Sequence, residues 1–443
     1  MEGEDLVKGF NELEEEKNNP KPENTKTQKY LIVILSIILI IFFILLILLI
    51  IRINILEKRN VKESEKSDDK HEKQDVPIPQ INESQLITFI RSAFCGNISS
   101  NLTYGEEGIE NTFKSGGKNY REEIGPINEN QDYKFNPLFN KYDLYIPYSA
   151  IKTKKSKGII VFIHGGAWVQ GTKEEMSYLC QIYFEHEYII ANLDYTLLNI
   201  TDFTIYRQLD DISACVKDIT KRLKSMGFNE NELEIAVGGG SAGGHLSLLY
   251  GYLVKEPPLP VKFIIDTIGP VNLETDDFYA IYEDEETLPD IEPETVNKAL
   301  KEKTYKKPMV TDNFILLFLN CFIGKKYSQE ELNGMLKDEK IDKKNEKYIE
   351  LYEKAKYGFP INWMKDKNIP ILALYGGKDL LVGFAQYARL KETAVKYGNT
   401  LQLVYSRYGG HSLSEFKHTE GIEAAKDFHF YMLKFCEDYF TKY

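Results

Sequence analysis

Six apolar runs of strand length recur from Gly158 onward, and amphipathic stretches separate most of them. The runs are Gly158–His164, Tyr188–Asp194, Leu233–Gly238, Val261–Ile268, Ile369–Tyr375 and Leu401–Tyr405; the helical stretches include Gln208–Met226, Ala242–Val254 and Gly383–Tyr397. Strands that alternate with helices bury their faces by forming a mostly parallel sheet covered by helices on both sides. The runs are apolar almost throughout, as expected of strands buried on both faces. The interval Glu274–Met364 breaks this rhythm. It is too long for a structureless connection inside a compact domain, and it reads as an inserted helical cap. Within it, the apolar run Asn313–Ile323 is too short to cross a bilayer. Its apolar face is expected either to line a pocket or to pack the cap, with Leu317 as the test position.

A different apolar run, Leu31–Ile51, is interrupted only by Ser36. As a helix it would span roughly 30 Å, the thickness of a hydrocarbon core. It is expected to be a transmembrane anchor that satisfies its own backbone polar groups. No small-x-small cleavage site follows it before Arg52, which argues against a removed signal peptide. The expected organisation is a disordered tail over 1–30, the span over 31–51, a charged stalk over 52–84, an extension over 85–140 and a catalytic domain over 141–443. Leu86–Phe94 is a candidate short helix within the extension. Basic residues flank the span on both sides, so the positive-inside rule does not orient it. Four N-x-S/T sequons, at Asn82, Asn97, Asn101 and Asn199, all follow the span. They favour a lumenal or extracellular catalytic domain behind a cytoplasmic tail.

The formal charge of −12 argues against nucleic-acid binding. The five cysteines form no C-x-x-C pair, so neither a zinc knuckle nor a dithiol redox site is suggested.

Gly239–Gly243 (GGSAG) fits G-x-S-x-G at a strand-to-helix junction, the context that exposes a nucleophilic serine. Ser241 is the candidate nucleophile. Small residues are expected across Gly238–Gly244 because larger ones would clash at so tight a turn. Serine attack on an ester places negative charge on the carbonyl oxygen, which fixed N–H groups must meet. His164-Gly165-Gly166-Ala167-Trp168 ends an earlier strand, and Gly165, Gly166 and Ala242 are the candidate oxyanion donors. A serine also needs a base, and the base an orienting carboxylate, in the chain order Ser, Asp, His. Asp379 and His411 each follow a strand and a glycine pair. Asp194 precedes the serine, and Asp266 lies within a strand, which makes both weaker candidates. His164 is assigned to shaping its loop and His245 to packing. There is no H-E-x-x-H and no compact cluster of ligands, so neither metal nor cofactor is expected.

With these motifs the chain resembles α/β-hydrolases that carry an H-G-G-x-W oxyanion motif, in particular the feruloyl-esterase-like and kynurenine-formamidase-like members. HGGAW (164–168), LDYTL (193–197), AVGGGSAGGHLSLLYGY (236–252), GGKDLLV (376–382) and GGHS (409–412) carry the resemblance. It implies an α/β-hydrolase fold with a cap, carboxylesterase activity on a small-molecule or lipid ester, with a prenylcysteine methyl ester or an arylformamide as alternative substrates, and triad and oxyanion roles at the positions above. Hormone-sensitive-lipase-like enzymes usually read H-G-G-G and G-D-S-A-G, from which Ala167 and Gly240 depart. Arylacetamide-deacetylase-like members share the single N-terminal anchor, and prenylcysteine methylesterases share a G-G-A-W stretch. The competing class is a non-catalytic, hydrolase-like binding ectodomain, which would typically have lost the nucleophile.

Overall fold

The structure is a computed structural model that describes residues 96–104, 106, 135–198, 203–274, 278, 310–406, 409–411 and 420–441. The chain divides into two compact units, Met1–Gln80 and Ile81–Tyr443, and every described residue belongs to the second. The apolar run Leu31–Ile51, the stalk, the 86–94 helix, Cys95, Asn82, Asn199 and most of 275–309 lie outside the described residues. Among the described residues, no helix is long and apolar enough to cross a membrane.

Among the described residues, ten strands appear in chain order: β1 (Gly96–Thr103), β2 (Lys141–Pro147), β3 (Ile159–Ile163), β4 (Ile189–Leu193), β5 (Ile235–Gly240), β6 (Val261–Thr267), β7 (Leu336–Lys337), β8 (Lys340–Ile341), β9 (Ile371–Gly376) and β10 (Leu401–Ser406). Eight of them form one sheet in the order β1-β2-β4-β3-β5-β6-β9-β10, while β7 and β8 pair apart from it. From β4 to β10 all pairs are parallel; β2 runs antiparallel to both of its neighbours. The helices are α1 (Tyr148–Thr153), α2 (Ser177–Glu185), α3 (Ile205–Ser225), α4 (Ala242–Leu253), α5 (Asp312–Phe322), α6 (Gln329–Asn333), α7 (Glu346–Ala355), α8 (Phe384–Tyr397) and α9 (Glu420–Tyr439).

Side-chain alternation along the strands builds two cores. Ile159, Val161 and Ile163 of β3 join a cluster with Leu209 of α3, Leu246 of α4 and Leu390 of α8. Ile160 and Phe162 point the other way, to Tyr183 of α2 and Phe435 of α9. This is the period-two geometry of a strand serving both faces of a sheet. Each fully buried Ile or Phe contributes roughly 1.5–3 kcal/mol relative to exposure. Between β6 and β9, Leu316 and Leu319 of α5 and Leu351 of α7 add to the first cluster.

All six strand-length runs are strands of this sheet, with ends shifted by up to two residues. Two further strands of this sheet, β1 and β2, are not among the expected runs, nor are β7 and β8 outside it. β1 (GNISSNLT) lies in the stretch read as an N-terminal extension of the catalytic domain. It is a polar edge strand whose pairing with β2 makes it a strand, with a register shift between Ser99 and Leu102 where Asn101 takes φ 53°. β2 carries Lys141 and Asp143, which hide its strand character in the sequence.

The strand order places the site. From β3 the chain crosses to β4 on one side, then returns to lay β5, β6, β9 and β10 on the other. The carboxyl ends of β3 and β5 therefore flank a topological switch point, where open α/β sheets form their ligand crevices.

Candidate active site

Ser241 stands between β5 and α4 with φ 54° and ψ −119°. A non-glycine residue in that region costs about 1–3 kcal/mol and persists only where the surroundings impose it. Here the imposing contact is close packing of α4 against the end of β3. A Cβ on Gly243 would sit 2.0 Å from the Ile163 carbonyl oxygen, and one on Gly239 would sit 2.2 Å from the same atom. The expected crowding does not extend across the whole run. A Cβ on Gly240 meets nothing closer than the Thr267 carbonyl oxygen at 3.9 Å, so this glycine is not required by space.

Asp379 and His411 arrive on two loops that are stitched together. Lys378 N donates to the Gly409 carbonyl and Gly377 N to that of Ser406. Gly376 permits this approach, since a Cβ there would lie 2.3 Å from the Gly409 oxygen. Asp379 is buried, and its Oδ1 accepts from Leu381 N at 2.8 Å and Val382 N at 2.9 Å. Its Oδ2 lies 2.8 Å from His411 Nδ1, and His411 Nε2 lies 3.0 Å from Ser241 Oγ. Because the carboxylate side accepts, Nδ1 carries the imidazole proton and Nε2 presents its lone pair to the serine hydroxyl.

The two other aspartates are engaged elsewhere. Asp266 is fully buried, accepts from Gly269 N, and meets the Tyr375 hydroxyl at 2.7 Å. Asp194 accepts from Lys173 N, and burial pushes its carboxyl up to about 6.

The His164–Trp168 loop is held from behind. His164 Nδ1 lies 2.7 Å from the Gly165 carbonyl oxygen, and its ring stacks on Tyr195 at 4.1 Å. The Tyr195 hydroxyl is within hydrogen-bonding distance of both the His164 and Gly165 carbonyl oxygens. In a trans peptide the carbonyl and the following N–H point in opposite directions. The N–H groups of Gly165 and Gly166 are therefore aimed away from Tyr195. Among the described residues no acceptor meets those two N–H groups or that of Ala242, the first residue of α4. Burial lowers His164 to about 4, so it is a neutral scaffold at ordinary pH.

His245 does more than pack. Fully buried, it accepts the Trp168 indole N–H on Nδ1 at 3.1 Å and holds Nε2 2.8 Å from the Gly358 carbonyl oxygen. Burial lowers it to about 3. No local signal in the sequence marks this bond, because Trp168 lies 77 residues away.

A cavity of about 520 Å³ opens onto these groups. Ser241, His411, Gly165 and Gly166 share its wall with the apolar side chains of Met176, Leu179, Ile268, Val310, Phe318 and Val382. Phe318 is the α5 residue on the cavity; Leu317, the expected test position, is 39% exposed and does not line it. The helical repeat i, i+3, i+4, i+7 counted from Ile315 would have selected Phe318 and passed over Leu317. Among the described residues, the four cysteines Cys180, Cys215, Cys321 and Cys436 are free and buried.

A probable isoprenylcysteine alpha-carbonyl methylesterase of Oryza sativa subsp. japonica is 27% identical over 37% of this chain and 44% of its own length. The isoprenylcysteine alpha-carbonyl methylesterase of Arabidopsis thaliana is 32% identical over 24% of each chain. The chain thus spans less than half the length of these curated relatives. Among solved structures, esterase B from Lactobacillus rhamnosis aligns at TM-score 0.46 and 14% identity, covering 80% of this chain and 92% of that one. The BD-FAE family model matches residues 142–394, a span that holds Ser241, Asp379 and the His164–Trp168 loop and stops short of His411. With more than half of its length matched, this chain belongs to the BD-FAE family.

Proposed function

We propose that the chain is a carboxylic ester hydrolase that works through an acyl-enzyme on Ser241. The carrying observation is the unbroken hydrogen-bonded chain from Asp379 through His411 to Ser241 at a cavity wall. Ser241 Oγ attacks the ester carbonyl while His411 Nε2 takes the hydroxyl proton, then returns it to the departing alkoxide. Water repeats the sequence on the acyl-enzyme, releasing the acid and regenerating Ser241. Asp379 fixes the Nδ1–H tautomer and stabilises the transient imidazolium. Gly165, Gly166 and Ala242 donate to the oxyanion, a role supported by N–H groups that meet no acceptor among the described residues. The alternative of a non-catalytic binding domain has no support in a site that retains nucleophile, base and donors.

The apolar walls favour esters with a hydrophobic acyl or alcohol part. One such substrate, a methyl ester of a lipidated cysteine, is favoured by the curated relatives in rice and Arabidopsis. As part of the same proposal, Leu31–Ile51 anchors the enzyme to a membrane with its catalytic unit on the lumenal or extracellular side. The test is labelling of the purified chain by a fluorophosphonate probe together with turnover of a series of esters. Labelling that survives Ser241→Ala, or no turnover of any ester by labelled protein, would overturn the reading.

A further inference from the structure

We infer that His245 is a positioning residue that locks the oxyanion loop to the nucleophile's helix through the indole of Trp168. The inference rests on the esterase reading and adds a part to its machinery.

The loop needs such a lock. Immediately after the candidate donors Gly165 and Gly166, Ala167 and Trp168 both take positive φ, 49° and 64°. Two successive L-residues in the left-handed region are costly, and such a conformation relaxes unless it is over-determined. Trp168 supplies the determination from both of its ends. Its carbonyl oxygen accepts from Leu198 N at 3.0 Å and from Gln208 Nε2 at 3.0 Å. Its ring meets Phe322 edge-on at 4.9 Å and Phe318 at 5.3 Å. These ring contacts tolerate sliding. The bond from Nε1–H to His245 Nδ1 is directional and sets where the indole stops.

His245 is suited to this in a way that few residues are. Its backbone N–H donates to the Ser241 carbonyl, so it sits one helical turn from the nucleophile on the same rigid element. The indole can only donate and the Gly358 carbonyl can only accept, so the imidazole is fixed as the neutral Nε2–H tautomer. One ring thus joins three pieces that must keep register: the donor loop, the α4 nucleophile helix and the end of the cap at Gly358. Gly358 packs closely against the same cluster, since a Cβ there would lie 2.7 Å from Phe322. Oxyanion donors act only when held where the charge will develop, and a misplacement of a fraction of an ångström weakens them.

The test uses Trp168→Phe, which removes the N–H and keeps an aromatic ring, with His245→Ala, His245→Gln and the double variant Trp168→Phe/His245→Ala. On a short-chain p-nitrophenyl ester, Trp168→Phe and His245→Ala should each lower kcat about tenfold or more, with KM changed less than about twofold. Fluorophosphonate labelling should slow in parallel. Because both act through one bond, the double variant should be no slower than about twofold below the worse single one. His245→Gln, which keeps a donor and an acceptor, should recover part of the rate. The chain has two tryptophans, so the Trp168 indole resonance is easily assigned, and it should move upfield in His245→Ala while thermal melting shows a folded protein. Wild-type kcat and labelling in Trp168→Phe, losses confined to KM, or effects that multiply in the double variant would overturn the inference. A wild-type chain that neither turns over esters nor takes the probe would overturn the esterase reading instead, and the indole resonance would still decide whether the bond exists.

Discussion

The Tyr375 hydroxyl lies 2.7 Å from Asp266 Oδ2 and 2.6 Å from the Gly269 carbonyl oxygen. One hydroxyl proton makes only one full-strength hydrogen bond. The conflict resolves if Asp266 keeps its own proton, donates it to the tyrosine oxygen, and leaves Tyr375 to donate to Gly269. Burial favours this, pushing the Asp266 carboxyl up to about 7. Below that pH Asp266 is a structural acid beneath the site, while Asp379 holds His411.

Activity separates the two carboxylates. Asp379→Asn should lower kcat by about 10³- to 10⁴-fold with a smaller change in KM, because the asparagine stabilises the wrong imidazole tautomer. Asp266→Asn should stay within about tenfold of wild type, since its amide can donate to Tyr375 as the protonated acid does. Steady-state kinetics on one ester checks both, and a reversed order would reassign the acid.

Stability against pH separates them again. The folded pKa of Asp266 is raised from 3.8 to about 7, so its contribution is fully present below pH 4. It is lost as pH rises through about 7, when the buried acid ionises. Asp266→Asn carries no such loss. Its melting temperature should gain on that of wild type as pH is raised from 4 to 8, and calorimetry across that range measures the difference.

The buried histidines act in the opposite sense. His164 and His245 are lowered to about 4 and about 3 by burial. Their contribution is present above the unfolded value near 6.5 and is lost as pH falls toward 3, because only the unfolded chain gains the proton. At about 1.4 kcal/mol per pKa unit, each can remove a few kcal/mol in acid. His164→Asn, which stays neutral, should show a shallower fall in urea midpoint between pH 6.5 and 4 than wild type.

Substrate preference should follow Phe318 and not Leu317. Phe318→Ala enlarges the cavity wall and should shift the kcat/KM optimum toward longer or bulkier esters. Leu317→Glu changes a side chain off the cavity and should leave the optimum in place. A chain-length series on both variants checks this.

The proposed lumenal placement predicts glycan at Asn97 or Asn101, whose side chains are exposed on the edge strand β1. Endoglycosidase should then shift the mobility of protein made in a secretory-competent host. Degradation of the catalytic unit by protease added outside sealed vesicles would place it on the cytosolic side instead.

The sequence alone determined the parallel sheet, since buried strands are written as continuous apolar runs whatever surrounds them. It also determined which residues could meet at the carboxyl edge of that sheet. Ser241, Asp379, His411 and the glycines at 165 and 166 each follow a strand, and strands of one parallel sheet end on one side. What only the tertiary structure decided were facts about pairs distant in the chain. The polar segment Gly96–Thr103 became a strand because β2 offered it an edge. Asp266 went to Tyr375 and Asp379 to His411 across 109 and 32 residues. His245 met Trp168 because α4 packs against the end of β3, where glycine lets their backbones touch. Local patterning records how each segment buries itself, whereas a hydrogen bond between two segments depends on where both have been placed.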